Sequence, residues 1–222
     1  MVIGRLSCHV DVARNWIDGH WAWWLDSLGG VRYARGMSVF RRMHLPGGTF
    51  YFTVVTYQRR PLFQSRLART CLREALKEQW QSHPFNLFAI CLLPNHLHCV
   101  WILPRGDSDY SARWQGIKRG FTQRYLDRGG KELPVTSAER REGRKGIWQP
   151  RFWEHTVRDE QDLERCVDYV HWNPRKHDLV SRVRDYPFSS FHRFVEEGLY
   201  ELDWGGSDPE FGQASKSNWG EP

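Results

Sequence analysis

The 222-residue sequence contains no long hydrophobic run, so its pattern gives no sign of a membrane-spanning helix. None of its apolar segments approaches the roughly 18 residues that such a helix needs. The first residues also lack the apolar core of a secretory signal, and we expect none. Cysteine is scarce as well. The five cysteines form an odd set without a C-x-x-C pair, which argues against a disulfide scaffold and predicts reduced thiols in a cytoplasmic protein.

Acidic residues are outnumbered by basic ones. The chain has 32 Lys and Arg residues against 26 Asp and Glu residues, a formal net charge of +6. This excess favours an anionic partner, with nucleic acid first among the candidates, but it carries no information about the fold. Tryptophan, by contrast, is abundant with 12 residues, so large aromatic faces are available for packing or for stacking on bases.

The sequence divides into three segments. Residues 1–36 show no strand alternation, and we assign them to an N-terminal extension outside the predicted core. From residue 37 a regular pattern of strands and helices begins, and residues 37–204 are predicted to form one folded domain. Residues 205–222 are rich in Gly, Ser, Asp and Asn, a composition typical of a disordered tail.

Residues 37–204 are predicted to form an α+β domain. Runs of β-branched and aromatic residues predict strands at 49–57, 85–92, 96–103 and 152–157. Apolar residues at helical spacing predict helices at 67–81, at 111–126, and from Asp159, as the N-cap, to about Trp172. This order predicts a ferredoxin-like split βαβ fold: a central antiparallel sheet, helices on one face, and an additional C-terminal helix. We expect Asn173-Pro174 to end that last helix, and residues 128–145 to form a basic loop.

The third predicted strand carries the most informative motif, LLPNHLHCVWIL over residues 92–103. His96 and His98 are two residues apart on a strand, so both imidazoles point to one face while Leu97 points to the other. Two imidazoles beside a turn can occupy two coordination positions of a divalent metal ion. The alternative is that two histidines on a solvated strand face have no function. We expect both histidines to face away from the hydrophobic layer, and Leu97 to lie in the core.

A second group of residues lies near the end of the last predicted helix. Tyr169 and Asn173 are four residues apart and share a helix face, so a hydroxyl nucleophile can lie beside a third metal ligand. His171, between them, points elsewhere. In the alternative interpretation, Tyr169 packs in the core and Asn173 only caps the helix. Tyr125, on the second predicted helix, competes for the role of nucleophile, and spacing alone does not decide between the two tyrosines.

Basic and aromatic residues alternate over residues 111–158, where 12 Lys and Arg residues stand against 5 Asp and Glu residues. Cations contact the phosphates of a single strand, and aromatic faces accept its unstacked bases. The alternative is a solvated basic face with its aromatic residues in the core. The candidate DNA-binding residues are Lys118, Arg119, Arg124, Arg140, Arg141, Arg144, Lys145 and Arg151. His155 and Glu154 have weaker claims to a place beside the site, because a packing or ion-pair role fits them equally well.

Taken together, these motifs resemble those of the REP-associated tyrosine transposases, which belong to the HUH (His-hydrophobic-His) single-tyrosine superfamily. The resemblance is carried by the H-x-H strand, by WQPRFWEHTVRDEQDL at residues 148–163 and by DYVHWNPRKHDLV at residues 168–180. The opening block PGGTFYFTVVTYQRRPLF and the closing block YPFSSFHRFVEEGLYELDW also match, in the correct order. The similarity covers residues 37–204, which makes this segment an HUH tyrosine transposase-like catalytic domain. Residues 1–36 have no counterpart in the family pattern.

The resemblance implies a site and an activity. It makes His96 and His98 metal ligands, Asn173 a third ligand and Tyr169 the nucleophile, with Mg²⁺ or Mn²⁺ as the metal. The implied activity is metal-dependent cleavage and transfer of single-stranded DNA through a 5′-phosphotyrosine intermediate. The implied substrate is the hairpin of a repetitive extragenic palindrome, bound by a monomer or a dimer.

Three other functions stay open at this stage. The first is a non-catalytic hairpin DNA-binding protein derived from a transposase, and the intact His-His-Tyr-Asn set argues against it. The second is an HUH replication initiator or relaxase-type nickase, against which the small size, the single tyrosine and the lack of a helicase motif argue. The third is a metal hydrolase that uses water as its nucleophile, and such an enzyme would leave no covalent adduct.

Overall fold

The computed structural model describes residues 45–206, and all structural statements below concern that range. The predicted N-terminal extension, residues 1–36, lies outside it, as do residues 207–222 of the predicted tail. Within the described range, no helix is both long and apolar enough to cross a membrane.

A four-stranded antiparallel sheet forms the centre of the domain. Its strands are β1 (Thr49–Val55), β2 (Asn86–Leu92), β3 (His96–Ile102) and β4 (Trp153–Thr156), in the order β2-β3-β1-β4. All residues of the central strand β1 are buried, which explains why this segment is β-branched and aromatic throughout. The strand order is that of the predicted split βαβ fold, so the predicted fold class is confirmed.

Two helices cover one face of the sheet, α1 (Arg66–Ser82) and α2 (Tyr110–Asp127). Alternate residues of the central strands, among them Phe52 and Leu97, point into the core between the sheet and these helices. The ring of Trp101 stacks on Trp114 of α2 with centroids 4.3 Å apart. Leu97 therefore lies in the core, as its position in the H-x-H motif predicts.

Part of the segment predicted as a basic loop is helical, so that prediction is wrong for the short helix α3 (Ser137–Arg141). The helix begins with a capping box: Thr136 Oγ1 accepts a hydrogen bond from the Glu139 amide at 3.2 Å, and the Glu139 carboxylate accepts one from the Thr136 amide at 2.9 Å. The T-x-x-E spacing in the sequence is the signal for this capping box. The many basic residues and glycines around it favour a loop, and the prediction follows them instead.

A long helix, α4 (Glu160–Lys176), covers the other face of the sheet. Asp159 is its N-cap, as predicted, and its side chain accepts a hydrogen bond from the Asp162 amide at 2.8 Å. The prediction that the helix runs to about Trp172 and is stopped by Asn173-Pro174 is wrong, because the helix continues through Pro174 to Lys176. Pro174 lies in the last turn, where its missing amide removes one helical hydrogen bond and leaves the rest of the helix intact.

The end of α4 is a left-handed turn at Asp178, whose φ is 54°. The Asp178 amide donates to the Arg175 carbonyl at 3.0 Å, and the Leu179 amide donates to the Pro174 carbonyl at 2.9 Å. These two bonds form a Schellman motif, which satisfies carbonyls that the helix itself leaves without a donor. Glycine is the usual residue in this conformation, and aspartate adopts it less easily.

The chain after α4 runs along the outer edge of β2. The Leu92 amide donates to the Phe188 carbonyl, and the Ser190 amide donates to the Ile90 carbonyl, both at 2.8 Å. A short helix, α5 (Phe191–Glu196), follows this contact. The sequence pattern does not predict α5, because six residues are too few to show helical periodicity.

Candidate active site

The two histidines of the H-x-H motif lie side by side at the start of β3. Their ring centroids are 4.8 Å apart, and both rings lie on the face of the sheet that α4 covers. His96 is 3% exposed and His98 is fully buried. The expectation that both face away from the hydrophobic layer is therefore wrong, because the sheet carries a helical layer on each face.

Two hydroxyl groups of β1 hold the ring of His98. Its Nδ1 lies 2.6 Å from Tyr51 Oη and 2.9 Å from Thr53 Oγ1, and Thr53 is its cross-strand partner. With a proton on Nδ1, the ring donates to these oxygens and keeps the Nε2 lone pair on its opposite side. This arrangement leaves Nε2 available as a ligand atom for a metal ion.

The ring of His96 is held by the turn that precedes β3. Its Nδ1–H donates to Asn95 Oδ1 at 2.6 Å. The backbone of Asn95 is also held in place, since Thr56 Oγ1 donates a hydrogen bond to the Asn95 carbonyl at 2.8 Å. His177, just after α4, brings a third imidazole to the site, with its ring centroid 5.1 Å from that of His96.

The site disfavours a positive charge on the imidazole of His98. Burial, and then the nearby His96, His177 and Lys176, lower the pKa of His98 well below its usual value. The ring is therefore neutral at pH 7. A neutral imidazole is the form that binds a metal ion.

Helix α4 places Tyr169 and Asn173 against the histidines. Tyr169 is 2% exposed, and its ring centroid lies 5.5 Å from that of His98. Asn173 lies one turn later and donates from Nδ2 to the Tyr169 carbonyl at 2.8 Å. That bond uses the amide nitrogen and leaves Oδ1 for another partner, and the Asn173 side chain faces His98.

Two buried polar atoms at this place suit a metal ion. Among the described residues, His98 Nε2 and Asn173 Oδ1 are buried and neither atom has a hydrogen-bond partner, although the two side chains are neighbours. Buried polar atoms normally have partners. The imidazole nitrogen of His98 and the amide oxygen of Asn173 lie close together, and His96 is beside them. These atom types are ligands that a divalent cation accepts.

Lys176 contacts the hydroxyl group of Tyr169. Its Nζ donates to Tyr169 Oη at 2.7 Å and lies 4.6 Å from the centroid of the ring. Lys176 and His177 are not predicted from the sequence, because both lie beyond the predicted helix end at Asn173-Pro174. Tyr51 and Thr53 are not predicted either, although hydroxyl side chains at alternate positions of an apolar strand are a signal that could have identified them. These positions complete the surroundings of the two histidines.

Tyr125, the competing tyrosine, lies on the other side of the sheet. It stacks on Phe121 in the core beneath α1 and α2, with ring centroids 5.6 Å apart. Its hydroxyl accepts a hydrogen bond from Arg60 at 3.4 Å. The sheet separates Tyr125 from the histidines, and the fold brings Tyr169 to them instead.

The eight predicted DNA-binding residues differ in their surroundings. Lys118 is engaged within the protein: its Nζ donates to the Gln149 carbonyl at 2.9 Å, and burial lowers its pKa to about 8. Arg124 and Arg144 each form an ion pair with a glutamate at 2.6 Å. The other five are exposed to solvent: Arg119, Arg140, Arg141, Lys145 and Arg151.

His155 and Glu154 have partners away from the histidine pair. Glu154 points to the face that α1 and α2 cover, where it accepts a hydrogen bond at 2.7 Å. His155 Nε2 lies 2.9 Å from Asp162 Oδ2, and with Cys166 the ligand atoms lie within 4.8 Å of one another. Burial raises the pKa of Asp162, but hydrogen bonds from Arg158 and His155 outweigh it and hold the pKa at about 2. The hydrogen bond between His155 and Asp162 joins β4 to α4. The Asp162 carboxylate already accepts several hydrogen bonds, so this cluster does not suit a metal ion.

The chain is similar over most of its length to curated proteins and to a solved structure. The chain is 43% identical over 178 residues to the REP-associated tyrosine transposase of Escherichia coli (strain K12), which covers 79% of this chain and 95% of the relative. It is 40% identical over 171 residues to a Haemophilus influenzae protein assigned to the same family, covering 77% and 95%. A structure of the REP-associated tyrosine transposase bound to a REP hairpin superposes with a TM-score of 0.66 at 40% identity, over 84% of this chain and 98% of that one. No protein-family model matches the chain.

Proposed function

Because the chain belongs to the family of the REP-associated tyrosine transposases, we propose that it is a metal-dependent single-strand DNA endonuclease and strand transferase. Its proposed substrates are hairpin-forming repetitive extragenic palindromes, and its proposed intermediate is a 5′-phosphotyrosine. The observation that carries the proposal is the convergence of Tyr169, His98 and Asn173 at one buried point. The related structure contains a REP hairpin, which supports hairpin DNA as the partner.

In this proposal His96, His98 and Asn173 hold a Mg²⁺ or Mn²⁺ ion. The bound ion would offset the negative charge that accumulates on the non-bridging oxygens of the scissile phosphate. A donor set with two imidazoles favours Mn²⁺ alongside Mg²⁺, because Mg²⁺ prefers oxygen ligands. The hydrogen bonds that both Nδ1 atoms donate support the proposal, since these bonds hold the two rings in place.

Tyr169 is the nucleophile in this reaction. Its Oη forms a bond to the scissile phosphorus, and the bond from phosphorus to the 3′ oxygen of the preceding nucleotide breaks. The phenol loses its proton and the departing oxygen gains one, which leaves a 5′-phosphotyrosine and a free 3′-OH. Attack of a 3′-OH on the phosphotyrosine rejoins the DNA and releases the tyrosine. A covalent intermediate therefore suits strand transfer better than hydrolysis by water does.

The five exposed basic residues named above are the proposed contacts to DNA phosphates. Lys118, Arg124 and Arg144 are weaker candidates because their charges are already engaged. Binding through several phosphate contacts should weaken as the salt concentration rises. We place this activity in the cytoplasm, in line with the buried free cysteines of the described chain.

A denaturing gel tests the proposal. Full-length protein is mixed with Mn²⁺ and a labelled REP hairpin of the kind bound in the related structure, extended by a single-stranded flank. We expect a covalent protein–DNA band that EDTA abolishes and that added Mn²⁺ or Mg²⁺ restores. Tyr169→Phe removes one oxygen and almost no volume, so it should bind the hairpin normally and form no adduct. Tyr125→Phe is the matched control and should form the adduct as the unaltered protein does.

Each remaining outcome of this experiment supports a different function. Tight hairpin binding without cleavage in the unaltered protein would support a non-catalytic binding protein. Cleavage without an adduct would support a metal hydrolase that uses water. An adduct that persists in Tyr169→Phe, or that mass spectrometry locates on the peptide containing Tyr125, would show that Tyr169 is not the nucleophile.

A further inference from the structure

The ammonium group of Lys176 lies 2.7 Å from Tyr169 Oη, the atom that attacks phosphorus in the proposed reaction. We propose that Lys176 is a catalytic residue that stabilises negative charge on Oη as the bond to phosphorus forms, and again as it breaks. This inference rests on the proposed function. It adds to the proposed site a residue that is neither a metal ligand nor the nucleophile.

The continuation of α4 through Pro174 explains the position of Lys176. Lys176 is seven positions after Tyr169, which is close to two turns of 3.6 residues, so both side chains lie on one face of the helix. The Nζ atom also lies 4.6 Å from the centroid of the Tyr169 ring, and the ammonium thus contacts the hydroxyl oxygen and the ring together. Lys176 is half-buried, and a partly desolvated charge acts more strongly than one in water.

The charge on Oη changes in both halves of the reaction. In cleavage the phenol loses its proton to solvent as Oη bonds to phosphorus, and in rejoining Oη leaves phosphorus with the electron pair of the broken bond. Oη carries partial negative charge in each transition state. An ammonium group donates a stronger hydrogen bond to a charged oxygen than to a neutral one. Lys176 keeps its own proton throughout, so it acts through its charge and its hydrogen bond.

A purely structural role is the alternative. A hydrogen bond that only joins the last turn of α4 to Tyr169 would change stability without changing the rate in a folded, DNA-bound protein. The Tyr169 ring is also held by packing, because its centroid lies 5.5 Å from that of His98 and 6.1 Å from that of Tyr51. Removal of the Lys176 charge should therefore leave the phenol in place.

Single-turnover kinetics distinguish these roles. The rates of adduct formation and of rejoining are measured for full-length protein with Mn²⁺ and saturating REP hairpin, together with hairpin affinity and thermal unfolding. In Lys176→Met both rates should fall by about 10²-fold or more, the usual effect of losing one preorganised donor, while hairpin affinity is unchanged. Lys176→Arg keeps the charge and should stay within about tenfold of the unaltered protein. Lys77→Met, an exposed position on α1, is the control and should leave both rates unchanged.

Two results separate failure of this inference from failure of the proposed function. If the unaltered protein forms the adduct and Lys176→Met forms it equally fast, the role of Lys176 is overturned and the proposed function stands. If the unaltered protein forms no adduct, the proposed function is overturned and the role of Lys176 with it. Should Lys176→Met not fold, Lys176→Gln replaces it with the same expected loss of rate.

A second measurement needs no activity. In protein labelled with ¹³C at tyrosine Cζ, the Tyr169 resonance is identified by its absence from Tyr169→Phe. Loss of the ammonium donor should shift this resonance in Lys176→Met at constant pH, whereas Lys77→Met should leave it in place. An unshifted resonance would show that the contact is absent in solution, and this would overturn the proposal.

Discussion

At the residue scale, the groups behind the two histidines define the site as much as the histidines do. Tyr51 and Thr53 hold Nδ1 of His98, and Asn95 holds Nδ1 of His96. A hydrogen bond donated by the second nitrogen of a ligand ring fixes the tautomer and orientation of the ring and raises its basicity. Strand β1 therefore contributes to the site, although it provides no proposed ligand.

The change Tyr51→Phe tests this contribution. It keeps the ring and removes one of the two hydroxyl groups on His98 Nδ1, so Mn²⁺ affinity should fall by about tenfold while the fold is retained. Electron paramagnetic resonance of free Mn²⁺ in the presence of the full-length protein measures this affinity. Tyr110→Phe is the matched control, because it removes an equally buried hydroxyl on the other face of the sheet, where it bonds Glu154. Equal loss in both variants, or none in Tyr51→Phe, would contradict the prediction.

Local spacing predicts part of the site and not the rest. Strand alternation brings His96 and His98 together, and helical spacing does the same for Tyr169 and Asn173, so the sequence predicts these pairs. Thr53 and His98 are 45 positions apart in the sequence and come into contact because β1 and β3 pair in a particular register. Cross-strand register depends on the whole sheet, and no local pattern in the sequence reveals it.

At the scale of elements, the end of α4 decides which side chains reach the active site. Ending the helix at Pro174 would remove Lys176 from the face that carries Tyr169. The strands and the three long helices follow from periodicity, and the structure contains all of them close to their predicted bounds. The end of α4 does not follow from periodicity. Proline is tolerated in this last turn, which a Schellman motif closes. Glycine is the usual sequence signal of that motif, but here Asp178 takes the position.

The residue at this helix end gives a prediction about stability. Asp178 has a φ of 54°, a conformation that glycine adopts without a steric penalty, so Asp178→Gly should raise the free energy of unfolding by about 0.5–1 kcal/mol. Urea unfolding of the full-length protein measures this difference. Asp178→Ala should have the opposite effect, because it lacks the short polar side chain that tolerates this conformation. A less stable glycine variant would mean that the Asp178 carboxylate itself stabilises the turn.

At the scale of the whole molecule, one chain supplies every proposed part of the active site. The histidines come from the centre of the sheet and Tyr169 comes from the helix packed on it, with the His98 and Tyr169 rings 5.5 Å apart. An oligomer is therefore not needed to bring the proposed nucleophile to the proposed metal ligands. Sequence patterns place these residues on a strand and a helix, but only the assembled layers show that they meet within a single chain.

Mixing two inactive variants tests this completeness. A chain with Tyr169→Phe and a chain with both His96→Ala and His98→Ala should each form no adduct, and an equal mixture should form none either. The denaturing gel described above measures the outcome. A mixture of unaltered chain with Tyr169→Phe is the control, and its activity should match the amount of unaltered chain. Adduct formation in the mixture of the two inactive variants would mean that the tyrosine acts on a partner's histidines.

The contact of residues 188–190 with β2 has a consequence for the fate of incomplete chains. An uncovered strand edge is a template on which other molecules add their own strands. In the complete fold the Phe188 and Ser190 backbone occupies part of that edge, and the opposite edge strand, β4, has only four residues. A chain that stops or is cut before residue 188 still contains all four strands but lacks this cover. Such fragments would aggregate through β2, so residues 188–190 protect a strand that is synthesised well before them.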